Sequence, residues 1–267
     1  MFGRRPDATL VRDLAPLRRF MPFVSPRRNE SLVYFSHDLR VDGALAFVAE
    51  RNRQRPADAP MTLFHVILVG IARVLDERPR LNRFVAGGRL WQRDGIWITL
   101  SAKKRMSDEG VLVTVKRRVD PRAPLDETVD VLLGGIRESK SERKSQSDRE
   151  VDFLLRLPGP LVRLAVGAAH LADALGLQPR AMIEADPLYA SVFVANLGSV
   201  GLESGYHHLW QHGNCPLFCV VGRVKPGAGA AQVVTLKWSY DERVEDGLYC
   251  ATGLERLREL VENPEKL

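Results

Sequence analysis

Residues 63–77, LFHVILVGIARVLDE, are the most restrictive stretch of the chain. The spacing predicts a helix that is apolar on nearly every face, with Thr62 before it as cap and Pro79 after it as stop. Such a helix has no face to give to water and must lie between other layers. A chain of 267 residues, 45% of them hydrophobic, can build those layers as one large domain or two small ones. The same apolar content excludes a disordered chain. No period of 20–50 residues points to a repeat array.

The remaining pattern alternates strands with helices. Ser31–Val41 reads as a strand, after which Asp42 is placed to cap a short helix. Arg83–Trp91, Gly95–Ala102 and Val111–Val119 read as strands, with Asp94-Gly95 as a hairpin turn between the first two. Asp126–Ser147 reads as a polar, solvated helix. Leu154–Leu177 reads as one or two apolar helices interrupted by Pro158-Gly159-Pro160. Tyr189–Asn196, Pro216–Val224 and Val233–Tyr240 read as strands. Asp246 caps a last helix whose apolar face is Leu248, Ala251, Leu254, Leu257 and Val261. The expected architecture is a single α/β domain, a mixed sheet flanked by helices.

Charge and cysteine usage narrow the functional classes. The net charge of +6 is concentrated in residues 1–28, where seven arginines face only Asp7 and Asp13. This basic N-terminal arm is expected to dock on its own domain or a neighbour, with residues 29–267 as the domain proper. A nucleic-acid surface would spread its basic residues and interleave aromatics, so nucleic acid is not an expected partner. The most apolar stretches carry Arg73 and His65, or Arg163, His170 and Asp173. No integral membrane segment is therefore expected. Three cysteines cannot build a disulfide framework, and together with the lack of an apolar leader they point to a reduced, cytoplasmic setting.

Four ordered motifs then make the pattern specific. Leu63–Asn82 closes on Arg-Pro-Arg-Leu-Asn. Residues 193–198 read Phe-Val-Ala-Asn-Leu-Gly. Cys215–Gly222 is an apolar strand ending in glycine. Residues 233–247 form a strand that runs into Asp241-Glu-Arg-Val-Glu-Asp-Gly247. Over residues 14–267 this order resembles the catalytic domain of dihydrolipoyl acyltransferases, the core subunits of 2-oxoacid dehydrogenase complexes, which share the chloramphenicol-acetyltransferase-like fold. The resemblance implies acyl transfer with CoA or acyl-CoA as co-substrate. It also implies a homo-oligomer built on trimers, with active sites between subunits. The lipoyl and subunit-binding domains that such proteins carry upstream have no counterpart here. A lipoyl or acyl carrier would therefore be a separate protein.

Two positions depart from the resembled pattern. The family's general base is the histidine of Asp-His-Arg, where this chain has Glu242. The family's oxyanion hydroxyl precedes Asn-Leu-Gly, where this chain has Ala195. An unperturbed carboxyl base is mismatched to a thiol by about 4 pKa units, against about 2 for histidine, roughly 3 kcal/mol of lost driving force. Losing an oxyanion donor costs about another hundredfold. Asp241, Arg243, Asp246 and Gly247 are retained, and in the family these residues hold the active-site turn.

The candidate catalytic residues are accordingly Glu242 or His208 as base, with His207 beside it and Arg243 and Asp246 bracing the loop. The candidate CoA-binding residues are Asn196, Ala195 and Ser239. The stretch 206–219 holds half of the six histidines and two of the three cysteines. Cys215 and Cys219 lie about 13 Å apart if on one strand, too far to share a zinc ion. No metal is expected. That stretch can supply the imidazole missing at position 242 or serve a subunit interface. His37-Asp38 is read as a strand end, Cys250 as a packing residue, and His65 and His170 as core-edge residues. Glu184 and Asp186 fit a solvated turn as well as a site. A catalytically inactive trimeric scaffold, or an acyl-CoA-binding protein, is the alternative reading of the whole.

Overall fold

A computed structural model describes residues 4–103, 107–140 and 155–267. Its main element is a six-stranded mixed sheet of Leu32–Arg40 (β2), Gln232–Asp241 (β9), Leu217–Pro226 (β8), Val192–Asn196 (β7), Ile96–Lys103 (β5) and Leu112–Val119 (β6), in that spatial order. β7 runs parallel to both β5 and β8, and the other pairs are antiparallel. A smaller antiparallel sheet has Arg89–Arg93 (β4) between Ala8–Leu10 (β1) and Arg83–Ala86 (β3). The helices are Pro16–Val24 (α1), Asp42–Asn52 (α2), Leu63–Glu77 (α3), Leu125–Lys140 (α4), Gly159–Leu175 (α5), Arg180–Ala185 (α6) and Gly247–Glu262 (α7).

α3 is central, as its composition demands. Val66, Ile67, Leu68, Val69, Ile71 and Ala72 are all buried, in one cluster with Val194, Cys219, Leu236 and Trp238 of the sheet and Leu257, Leu260 and Val261 of α7. Glycine permits the α3–α7 crossing. A Cβ on Gly70 would stand 3.0 Å from Leu257 Cδ1. The period of two along the strands sends the alternate residues the other way. Phe193, Phe218 and Val220 form a second cluster on the opposite sheet face with Leu209 and Cys215. Residues 206–216, which have no helix or strand of their own, cover that face.

Several local expectations need correction. Asp94-Gly95 is not a hairpin turn. The turn lies at Gly87-Gly88, both at positive φ, which splits the expected strand 83–91 into β3 and β4. β5 then leaves for the large sheet. Asp42 does not cap α2. It lies in the first helical turn, and its carboxylate accepts from the Gln232 amide at 3.0 Å, fixing the start of β9. The buried face of α7 is Cys250, Gly253, Leu257, Leu260 and Val261, while Leu248 is 80% exposed. His170 is exposed, not at a core edge. The polar helix is described to Lys140, and residues 141–147 of that expectation lie outside the described residues. No described helix is long and apolar enough to cross a membrane.

The N-terminal segment adds β1 to the edge of β4. Arg5 is buried over the ring of Phe84 and bonds both Asp7 and Asp173. Arg28 is buried as well. Part of the basic excess of the arm is therefore internal wiring rather than a charged surface.

His65, in the first turn of α3, accepts the Thr62 amide at its Nδ1 at 3.1 Å. Burial holds its pKa down at about 4, against 6.5 for an ordinary imidazole. Between those values the unfolded chain binds the proton more readily, so this histidine costs stability as pH falls through that window. Urea unfolding should show a loss on the order of 3 kcal/mol between pH 7 and pH 4. His65→Gln should flatten that slope, and an unchanged slope would contradict this cause.

Candidate functional site

The turn 241–246 is built around buried charge. Asp241 is fully buried at the end of β9, and its carboxylate takes a two-pronged bond from Arg243, Nε to Oδ1 and Nη2 to Oδ2, both at 2.8 Å. Arg243 also donates to the carbonyls of Ser25 and Pro26 at 3.0 and 2.9 Å. Arg28 stands 3.8 Å from the same carboxylate and donates to the carbonyls of Trp210 and Gly213. Its backbone amide donates to Gln211 Oε1. One buried aspartate thus ties the post-β9 turn to the residues before β2 and to the segment 206–213.

The rest of the turn is held from outside. Buried Glu245 lies within 3.7 Å of the guanidinium groups of Arg18, Arg80 and Arg83, and the Tyr240 hydroxyl donates to its carbonyl. Asp246 caps α7 by accepting from the Tyr249 amide at 2.9 Å, and that bond lowers its pKa. The Glu242 backbone is fixed at both ends, its amide donating to Ser31 O and its carbonyl accepting from Arg18. Its carboxylate is exposed and makes no bond among the described residues.

His207 occupies a different position from the other candidates. Its ring stacks on Phe218 at 4.1 Å between centroids and lies 4.8 Å from Trp210. Nδ1 lies 2.7 Å from the carbonyl of His208, which can only accept, so Nδ1 carries the proton. That tautomer leaves the lone pair on Nε2. Burial lowers the pKa of the half-buried ring, keeping it neutral near pH 7. His208 is exposed and stacks only on His207 and edge-on to Trp210. The Ser239 hydroxyl donates to the His207 carbonyl. It therefore holds the segment down, and ligand binding is not the role its bond supports.

Strand register relates these groups. Ser239 pairs with Phe218, and Phe218 with Phe193, in one row across β9, β8 and β7. Ala195 pairs with Val220, two residues further along the same face, about 7 Å beyond Phe218. Asn196 ends β7, and its Oδ1 accepts from the Ser199 amide while Nδ2 has no acceptor among the described residues. Ala195, Ser239 and His207 thus share the covered sheet face. No side-chain bond joins Glu242 to His207, His208 or Asn196.

Other groups resolve plainly. All three cysteines are buried, and burial raises their pKa, that of Cys250 to about 12. None is a ready nucleophile. No three His, Cys, Asp or Glu side chains gather for a metal among the described residues. His37 is buried with neither ring nitrogen bonded. Asp186 is part of a chain that the sequence pattern did not reveal. It accepts from His212 Nε2 at 2.8 Å, and His212 Nδ1 lies 3.0 Å from His170 Nε2 on α5. The carboxylate bond raises the pKa of His212. The half-buried Lys116, whose pKa desolvation lowers to about 7, donates to the carbonyls of Ile183 and Asp186.

No family model matches the chain, and no curated protein matches it either. Solved structures do. The dihydrolipoamide acetyltransferase of Azotobacter vinelandii matches at 16% identity over 96% of this chain and 93% of that one, with a TM-score of 0.61. A chloramphenicol acetyltransferase matches at 12% identity over 95% and 99%, also with a TM-score of 0.61. The cubic core of a pyruvate dehydrogenase multienzyme complex matches at 16% identity over 96% and 93%, with a TM-score of 0.59. These likenesses establish the chloramphenicol-acetyltransferase-like fold.

Cutting Arg28 back to alanine removes the donor to the Trp210 and Gly213 carbonyls and one of the two cations beside Asp241. The expected cost is about 3–5 kcal/mol by urea unfolding. The Asn214 and Cys215 amides, which donate to the Leu188 carbonyl, should lose hydrogen-exchange protection first. Uniform loss across the chain would contradict the local role.

Proposed function

We propose that the protein is a CoA-dependent acyltransferase whose base is His207, acting on a thiol, amine or hydroxyl acceptor. The observation that carries this reading is the His207 tautomer, a half-buried neutral imidazole with Nδ1–H committed to a carbonyl and Nε2 free. It lies on the same sheet face as Ala195, one of the two positions where the resembled catalytic residues are replaced. Neither Glu242 nor His208 offers this combination, since both side chains are exposed and make no hydrogen bond among the described residues.

In the proposed step His207 Nε2 takes the proton of the acceptor X–H as X attacks the thioester carbonyl carbon. The free Nδ2 amide of Asn196 is the donor proposed to face the oxyanion, replacing the hydroxyl that Ala195 lacks. As the C–S bond breaks, His207 returns its proton to the departing CoA thiolate. The acyl group is then on X, and CoA leaves as the thiol. Arg28, Arg243 and Asp241 act through position alone, by fixing the segment and the turn.

The proposed assembly is a homotrimer, with a separate lipoyl or acyl carrier as one possible acceptor. Ala195 and the unsupported Glu242 carboxylate favour the second reading, a trimeric scaffold or acyl-CoA-binding protein without chemistry. Steady-state transfer from a series of acyl-CoAs decides between them, because absence of turnover with thiol, amine and hydroxyl acceptors selects the scaffold.

With a competent acceptor, His207→Ala should lower kcat by 10²–10⁴ and change KM little, the range expected for loss of a general base. Glu242→Gln should retain most activity. The reverse pattern would assign the base to Glu242. The base must be neutral, so the rate falls as pH drops through the pKa of His207. Burial places that acid limb below 6.5, the ordinary imidazole value. A limb above 6.5 would exclude His207.

A further inference from the structure

Two helices of the fold present large apolar residues to the outside. On α1 Pro22 is the buried residue, Arg18 is bonded to the Glu242 carbonyl and paired with Glu245, and Arg19 is exposed. The outward residues Leu17, Phe20, Phe23 and Val24 are 57–71% exposed. On α5 two polar residues serve as tethers, Asp173 to Arg5 and His170 to His212, while Arg163 is exposed. No residue of α5 is buried, and Leu161, Leu164 and Leu171 face outward at 48%, 69% and 60% exposure. Soluble surface helices show the opposite arrangement.

The two helices meet at one place. The β3–β4 turn separates them, Gly88 beneath the Phe23 ring and Gly87 against the Ala174 carbonyl near the end of α5. A cleft of about 730 Å³ opens beside α1, and its lining combines Leu10, Leu14, Phe20 and Phe23 with Arg12, Arg18, Arg19 and Arg89, with no carboxylate. Arg4 and Arg12 line an adjoining depression. Exposed apolar residues framed by guanidinium groups are the pattern of a surface that sits in a lipid headgroup layer.

We propose that α1, the Gly87-Gly88 turn and α5 form one surface that docks on anionic phospholipid bilayers. The leucines and phenylalanines enter the acyl boundary, and the arginines face lipid phosphates. This makes the protein a peripheral one, with neither helix spanning the bilayer.

Co-sedimentation with phosphatidylcholine vesicles, with and without 30% phosphatidylglycerol, tests the proposal. The expected result is binding to the anionic vesicles at least tenfold tighter than to neutral ones, weakened several-fold between 0.1 and 0.5 M salt. The double variant Leu164→Glu, Leu171→Glu should lose at least tenfold, and so should Arg19→Glu with Arg89→Glu. These side chains are exposed, so melting temperatures should stay unchanged. Equal affinity for neutral vesicles, no binding at low salt, or full binding by the leucine variant would overturn the proposal. Loss of vesicle binding together with a smaller oligomer mass in the leucine variant by light scattering would instead assign the face to contacts between copies.

Discussion

The buried carboxylate of Asp241 is the interaction on which the arrangement of the candidate site depends. A lone charge at that depth would be costly, and Arg243 and Arg28 offset it. Each arginine then uses its remaining donors on backbone carbonyls, those of Ser25, Pro26, Trp210 and Gly213. Three segments remote in sequence are thereby held to one point. The irregular segment 206–216 has no ladder of its own, and these bonds stand in for one. Together with the Ser239 bond to the His207 carbonyl, they fix His207 on Phe218.

The same wiring leaves the side chains of residues 195 and 242 outside the bonds that hold the turn. The polar residues of the turn 241–246 are occupied with structure: Asp241 with two arginines, Asp246 with the α7 cap, Glu245 with three further arginines. The Glu242 side chain takes part in none of these bonds, because only its backbone is engaged. The imidazole proposed to replace the missing one comes from a segment bonded to the same aspartate through Arg28.

The order of elements was legible because hydrophobic periodicity is a local property. α3 was fixed by its own fifteen residues, and the mixed sheet followed from strands joined by helices. Pairing was less legible. A DG dipeptide marks a turn, yet it cannot say whether the next strand returns to its neighbour or crosses to another sheet, and β5 crosses. On α7 the apolar spacing nominated Leu248, while Gly253, which carries no hydrophobic signal, marks the contact. The candidate site was legible as a region and unclear in its parts. His207 and His208 are adjacent in sequence, and only the tertiary placement of Phe218, Ser239 and the His208 carbonyl separates them. Arg5 and Arg28 read as a charged arm because their partners, Asp173 and Asp241, lie far along the chain. The His170–His212–Asp186 chain escaped for the same reason.

The central claim is that the fold delivers His207 as a neutral base with its lone pair on Nε2. Long-range nitrogen–carbon-bound proton correlation spectra of the histidine rings test it directly, with His207→Gln used to assign the resonance. The account predicts the Nδ1–H tautomer at pH 7 and a midpoint of titration below 6.5. A ring protonated at Nε2, or one still charged at pH 7, would show that this imidazole cannot act as the base and would contradict the account.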